Sequence, residues 1–196
     1  MKQFVLASGN PGKLAELNSI LKPLGYEPRS QSEWQVPEAV EDGLSFLENA
    51  LIKARNAAAH TGLPALGDDS GIVVAALDGK PGIYSARFAA ENASADDNNK
   101  KLLKQLANVP AGERQAFFYC AMVLVTTPGD PAPIVATGRW DGRILEAPRG
   151  DGGFGYDPLF DVPGLGKSAA ELEPELKNRI SHRGLALKSI TAQLAE

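Results

Sequence analysis

Leu63-Pro64-Ala65-Leu66-Gly67-Asp68-Asp69-Ser70-Gly71-Ile72-Val73-Val74-Ala75-Ala76-Leu77 decides how this chain is read. Leu63 to Leu66 predicts a short buried strand. The β-branched, apolar run Ile72 to Leu77 predicts a second strand or core segment. Between them, two adjacent carboxylates flanked by glycines predict an acidic knuckle at a sheet end. Two full charges about 4 Å apart repel by about 4 kcal/mol at an effective dielectric of about 20. A fold relieves that repulsion by placing a cation between the groups, by protonating one, or by turning both apart into water. The first two are chemistry and the third is a turn. Taken alone the stretch reads as a turn; the rest of the chain argues for chemistry.

Toward the N-terminus, Lys2 to Ala7 predicts a strand that runs into Ser8-Gly9-Asn10-Pro11-Gly12-Lys13. A helix follows, with Leu14, Leu17, Leu21 and Leu24 at helical spacing and Gly25 after its end. Asn10 suits the N-cap and Pro11 the first helical position. A strand, a Gly-rich turn and a helix start together offer free backbone N–H groups to a phosphate. The turn is not a Walker A loop, because its glycine spacing is too short and Leu14 follows the lysine. After Gly25 a loop of Gln, Ser and Pro follows, ending in Glu38 to Gly43. A helix is predicted from Leu44 to His60, with Ser45 and Glu48 at capping-box spacing and an apolar face of Leu44, Leu47, Leu51, Ala54 and Ala58. Asn49 and Lys53 share one side of it and read as solvated; Glu41 reads as an end charge that favours the helix dipole.

Toward the C-terminus, Asp78 to Gly82 is a turn, and Ser94 with Asp97 opens a helix from Asp96 to Ala107 whose Lys100, Lys101 and Lys104 read as exposed. Arg114 to Thr126 and Pro133 to Trp140 predict a long hairpin, and Gly142 to Glu146 a further short strand. Then comes Pro148-Arg149-Gly150-Asp151-Gly152-Gly153-Phe154-Gly155-Tyr156-Asp157-Pro158. A loop this rich in glycine is costly to order and suits a backbone that must approach something closely. In an extended stretch Phe154 and Tyr156 would face the same way, either stacking on a planar ligand or covering a core edge. The tail predicts a capping box at Ser168 and Glu171, a helix broken near Pro174, and a last helix opened by Ser181. Lys177, Arg179, His182 and Arg183 crowd that helix start, where cations oppose the dipole, and this points to a bound anion or electron-rich edge.

The 196 residues fit one domain, 1–196, with a real core. A formal charge of −4 gives no general attraction to nucleic acid or anionic membrane. Cys120, the only cysteine, sits in an apolar run, which excludes a disulfide framework and suits a reducing compartment. The longest apolar run, Ala116 to Val125, is short of the roughly 20 residues that span a bilayer. A soluble, cytoplasmic protein is expected. Together, the phosphate-type turn, the acids, Lys53, the aromatic loop and the cationic helix start suit a nucleoside polyphosphate with a divalent metal. Oxygen-only ligands favour Mg²⁺ or Mn²⁺.

SGNPGK, ENALIKAR, GDDSG, PGIYSAR, GGFGYDP and ISHRG occur in that order across nearly the whole chain. In this the sequence closely resembles the inosine triphosphate pyrophosphatase family, the dITP/XTP pyrophosphatases. The resemblance implies an α/β fold: an elongated mixed β-sheet with helices on two lobes, a substrate cleft between the lobes, and a homodimer. It implies Mg²⁺-dependent hydrolysis of non-standard purine triphosphates (ITP, dITP, XTP) to nucleoside monophosphate and pyrophosphate. Asp69 is then the proton acceptor, and Glu41, Asp68 and Asp69 hold the metal. Ser8, Gly9, Asn10, Pro11, Gly12, Lys13 and Lys53 take the phosphates, and Ser70 assists at the substrate. Phe154, Gly155, Tyr156, Asp157, Lys177, His182 and Arg183 surround the purine and its sugar phosphate. The alternatives are a pyrophosphatase for other modified nucleotides and a nucleotide-binding protein without catalysis.

Overall fold

The computed structural model describes residues 2–8, 14, 17, 18 and 21–194. Its strands are β1 (Lys2–Leu6), β2 (Tyr26–Ser30), β3 (Ala65–Val74), β4 (Gln115–Val125), β5 (Ile134–Ile144), β6 (Phe160–Val162) and β7 (Lys167–Ser168). They form a seven-stranded sheet in the order β2-β1-β3-β4-β5-β6-β7. β1 lies parallel to both neighbours, with Phe4 opposite Pro28 and Val5 opposite Ala65. β6 is antiparallel to β5 and β7, so the sheet is mixed. The helices are α1 (Phe46–Thr61), α2 (Ala95–Gln105), α3 (Pro174–Ile180) and α4 (His182–Leu194). Leu14, Leu17, Asn18 and Leu21 are helical too. The α/β expectation holds. Among the described residues no helix is long and apolar enough to cross a membrane.

Several local expectations are corrected. The acidic stretch is no knuckle: β3 runs unbroken through Gly67 to Gly71 and keeps both carboxylates buried, and its end, Ala75–Leu77, is a 3-10 turn. Asp69 is engaged by Lys53 and Asn49, while Asp68 lines a polar cavity with Glu41 and Lys53, so neither is a turn charge in open water. β2 occupies part of a stretch read as loop; Pro28 hides it, yet proline is tolerated because β2 is an edge strand. β5 absorbs the separate strand expected after Trp140. A side chain at Gly142 would meet Asp161 O and the Phe160 ring at 2.5 Å, so this glycine admits a close neighbour rather than ending the strand.

The apolar face drawn for α1 is half right: Ala54 and Ala58 are buried as expected, but its first turn is not. Leu44 is 88% exposed and Leu47 41%, whereas Phe46, Asn49, Ala50, Ala54, Ala57 and Ala58 are buried. The alanines let β3 approach the helix backbone. A Cβ at Gly67 would lie 2.1 Å from Ala50 O and 2.8 Å from Ala54 N. Ser45 caps the helix by accepting from Glu48 N–H, and Glu48 reaches back to Leu44 N–H. In α2 the reciprocal box of Ser94 and Asp97 forms as predicted. Lys101, expected to be solvated, donates to Phe88 O and lies over the Phe88 ring.

The chain divides into two compact units. One comprises Met1–Asp69, Cys120–Thr137 and Ala186–Glu196. Its core joins Phe4, Leu6, Leu66, Cys120, Met122, Leu124, Leu187 and Ile190. The other comprises Ser70–Tyr119 and Gly138–Leu185, around Ile72, Leu102, Phe118, Trp140, Tyr156, Leu159 and Phe160.

Candidate functional site

In the first unit, the close packing of Gly67 on α1 brings Lys53 and Asn49 against Asp69. Lys53 Nζ donates to Asp69 Oδ1 at 3.0 Å and lies 3.3 Å from Glu41 Oε1. Asn49 Nδ2 donates to Asp69 Oδ2 at 3.3 Å, and its Oδ1 accepts from Gly43 N–H at 2.9 Å. Both residues were read from sequence as solvated; Asn49 is in fact wholly buried. Burial alone would lower the Lys53 pKa. The summed field of Asp69, Asp68 and Glu41 wins and holds it above its ordinary value, so the ammonium stays charged. Burial raises the Asp69 pKa above the ordinary carboxylate range, with Lys53 the main opposing influence.

A polar cavity beside this cluster is lined by Ala7, Ser8, Gln31, Glu38, Ala39, Glu41, Lys53 and Asp68. Gln31 and Glu38 were not anticipated; both stood in the stretch read as loop. Gly9, Asn10, Pro11, Gly12 and Lys13 lie outside the described residues. Among the described residues no group of three or more His, Cys, Asp and Glu side chains is gathered around one point that could hold a metal. Glu41 and Asp69, from a loop and a strand, nevertheless share one positive charge, the Lys53 ammonium. Their hard oxygen donors, with Asp68, suit Mg²⁺ or Mn²⁺ in chemistry.

The second unit gathers Ser70, Phe154, Gly155, Asp157, Lys177 and Arg183. Phe154 is 62% exposed, with Lys177 Nζ 5.0 Å and the Arg183 guanidinium carbon 5.4 Å from its ring centre. Buried Asp157 accepts from Phe154 N–H at 2.6 Å and from Lys177 Nζ at 2.5 Å. Gly153 makes room for that bond: its φ is +72°, and a Cβ there would sit 2.3 Å from Asp157 Oδ2. Arg183 Nη2 donates to Ser70 Oγ at 3.4 Å.

Tyr156 does not join Phe154 in a stacking pair. The segment turns rather than extends, so Tyr156 is buried and its hydroxyl donates to Ser85 O at 2.8 Å. Burial pushes its pKa up. Ser85 in turn accepts from Ile72 N–H at 2.9 Å, a link from PGIYSAR to β3 that the sequence did not suggest. Asn99 is another missed support, donating to Gly155 O at 3.0 Å. The cations of the tail are also redistributed. Lys177 and Arg179 lie in the last turn of α3, where the dipole favours them. His182 is buried and stacks on Phe118, with ring centres 4.8 Å apart and planes 12° apart.

The sequence profile of the Ham1 family matches residues 4–193. The chain belongs to the Ham1 family. It is 54% identical to the dITP/XTP pyrophosphatase of Thioalkalivibrio sulfidiphilus, over 98% of both chains. It is 53% identical to that of Vibrio parahaemolyticus, over 100% of this chain and 98% of the relative. Among solved structures, the HAM1 protein from Coxiella burnetii superposes with a TM-score of 0.96 at 47% identity, covering 99% of this chain and 98% of that one. Within this Ham1 fold, the acids and Lys53 form one chemical group and the Phe154 loop another.

Proposed function

We propose that this chain is a nucleoside triphosphate pyrophosphatase. It adds water across the α–β phosphoanhydride of non-standard purine triphosphates (ITP, dITP and XTP) and releases nucleoside monophosphate and pyrophosphate. The observation that carries this reading is the Glu41–Lys53–Asp69 cluster: two carboxylates and a charged lysine, converging beside a polar cavity in a Ham1 chain. The naming of close relatives as dITP/XTP pyrophosphatases supports the substrate class.

Asp69 accepts the proton of the attacking water. A carboxylate fixed beside the attacking water is a suitable base because its geometry is preset. Lys53 neutralises charge that grows on the phosphates as the bridging bond breaks. Glu41, Asp68 and Asp69 are the residues that would hold Mg²⁺ or Mn²⁺. Such an ion, when bound, screens the phosphates and lowers the pKa of water. Ser8 to Lys13 complete the phosphate contacts. The Phe154 ring offers its face to the purine, and Arg183 and Ser70 offer hydrogen-bonding groups beside it. Donors directed at a 6-keto group leave adenine unpaired, a mismatch that can discriminate by about 10⁴-fold. The chain acts as one catalytic domain over 1–196 and pairs as a homodimer, which sedimentation velocity would test.

The deciding experiment measures pyrophosphate release from ITP, dITP, XTP, GTP, ATP and dTTP, with and without Mg²⁺. Release from the first three, dependent on Mg²⁺ and abolished in Asp69→Asn, is expected. Turnover of dTTP above dITP, or no pyrophosphate from any substrate, refutes the reading.

A further inference from the structure

Asn49 is wholly buried, and both ends of its amide are used. Gly43 N–H can only donate, so the amide oxygen must face it, at 2.9 Å. The amide nitrogen is thereby turned to Asp69 Oδ2, at 3.3 Å. Lys53 takes the other oxygen, Asp69 Oδ1. The two oxygens of one carboxylate are thus assigned to different partners from the same helix, one turn apart, and the plane of the carboxylate is fixed. The same amide grips the backbone two residues after Glu41. That grip requires glycine there, because a Cβ at Gly43 would stand 2.7 Å from Asn49 Oδ1. A burial this complete is unusual for a helix-surface amide unless its polar atoms are needed.

We propose that Asn49 is a positioning residue, which rests on the function proposed above. It orients the Asp69 carboxylate toward water and holds the Glu41 segment at a set distance from it. The amide does both, since its nitrogen donates to the carboxylate while its oxygen accepts from the backbone N–H. Aspartate keeps the second bond and loses the first; alanine loses both.

The test uses the full chain with Asn49→Ala and Asn49→Asp, each checked for folding by near-ultraviolet circular dichroism and assayed well below its melting temperature. Turnover of ITP per folded molecule should fall at least tenfold in both, with KM within about threefold of the parent, the mark of an interaction realised in the transition state. A readout independent of activity is the rise in melting temperature on adding Mg²⁺ alone, which should shrink by half or more in Asn49→Ala. Parental kcat in both variants overturns the proposal. Loss in Asn49→Ala with parental kcat in Asn49→Asp also overturns it, because the Gly43 bond alone would then matter. A raised KM at unchanged kcat does the same. If the parent releases no pyrophosphate, the functional reading fails first, and an undiminished Mg²⁺ shift in Asn49→Ala then overturns the positioning role separately.

Discussion

Gly67→Ala is the sharpest probe of how β3 and α1 create the acidic cluster. The new methyl would lie 2.1 Å from Ala50 O, and both that atom and Ala54 N belong to helix backbone that cannot rotate aside. Relieving the clash to even 3.0 Å requires strand and helix to part by about 0.9 Å, the difference between those two distances. A shift of that size carries Lys53 Nζ from 3.0 Å toward the edge of bonding range with Asp69 Oδ1, and loosens Asn49 as well. Misplacement by about 1 Å can cost about 100-fold in rate, which corresponds to about 2.7 kcal/mol of transition-state stabilisation. Overpacking should also cost about 1–3 kcal/mol of folding stability. The assay is pyrophosphate release from ITP at a temperature where urea titration shows the variant fully folded. Gly112→Ala, whose methyl would meet nothing within 4 Å, serves as the control. A folded Gly67→Ala protein with kcat within threefold of the parent would refute the view that this contact sets the catalytic geometry.

Phe154→Ala should raise KM for ITP by about tenfold or more, since stacking is worth about 1–3 kcal/mol per base. Its melting temperature should barely move, because the ring is 62% exposed. Tyr156→Phe should do the reverse: the lost bond to Ser85 O leaves a buried acceptor short of a partner, costing about 1–2 kcal/mol in urea unfolding with KM little changed. Asp130 is held below the ordinary carboxylate range by the backbone N–H groups of Thr126 and Ala132 and by the Thr126 hydroxyl. A depressed folded pKa stabilises the fold above the unfolded pKa and ceases to do so as pH falls through the folded one. The stability gap between parent and Asp130→Asn should therefore be full at neutral pH and close in acid; a gap independent of pH contradicts that assignment.

The sequence carried the motifs but not their geometry. Strand β1, the long β4, the Ser94–Asp97 box and the Ser181 cap of α4 were legible because apolar runs and capping spacings are local signals. β2 and the continuity of β5 through Gly142 were not, since Pro28 and Gly142 look like breaks until their neighbours in the sheet are known. Asn49 and Lys53 looked solvated for a similar reason. A polar residue on a helix side is ordinarily outside, and only the stripe Ala50, Ala54, Ala57 with Gly67 hinted that this side is pressed against a strand. Tyr156 was misassigned because alternation predicts a shared face only in extended chain, and Gly153 and Gly155, both at positive φ, belong to a turning one.

Neither unit is a single continuous stretch. The core behind Asp69 includes Ala186, Leu187 and Ile190, which are made more than a hundred residues after it. During synthesis, the acidic strand and its lysine therefore leave the ribosome long before the α4 residues that back them. Until those arrive, the nascent polypeptide holds three carboxylates near an unfinished apolar layer, a state exposed to chaperones and proteases alike. Catalytic competence should come late and all at once, with emergence of the last helix.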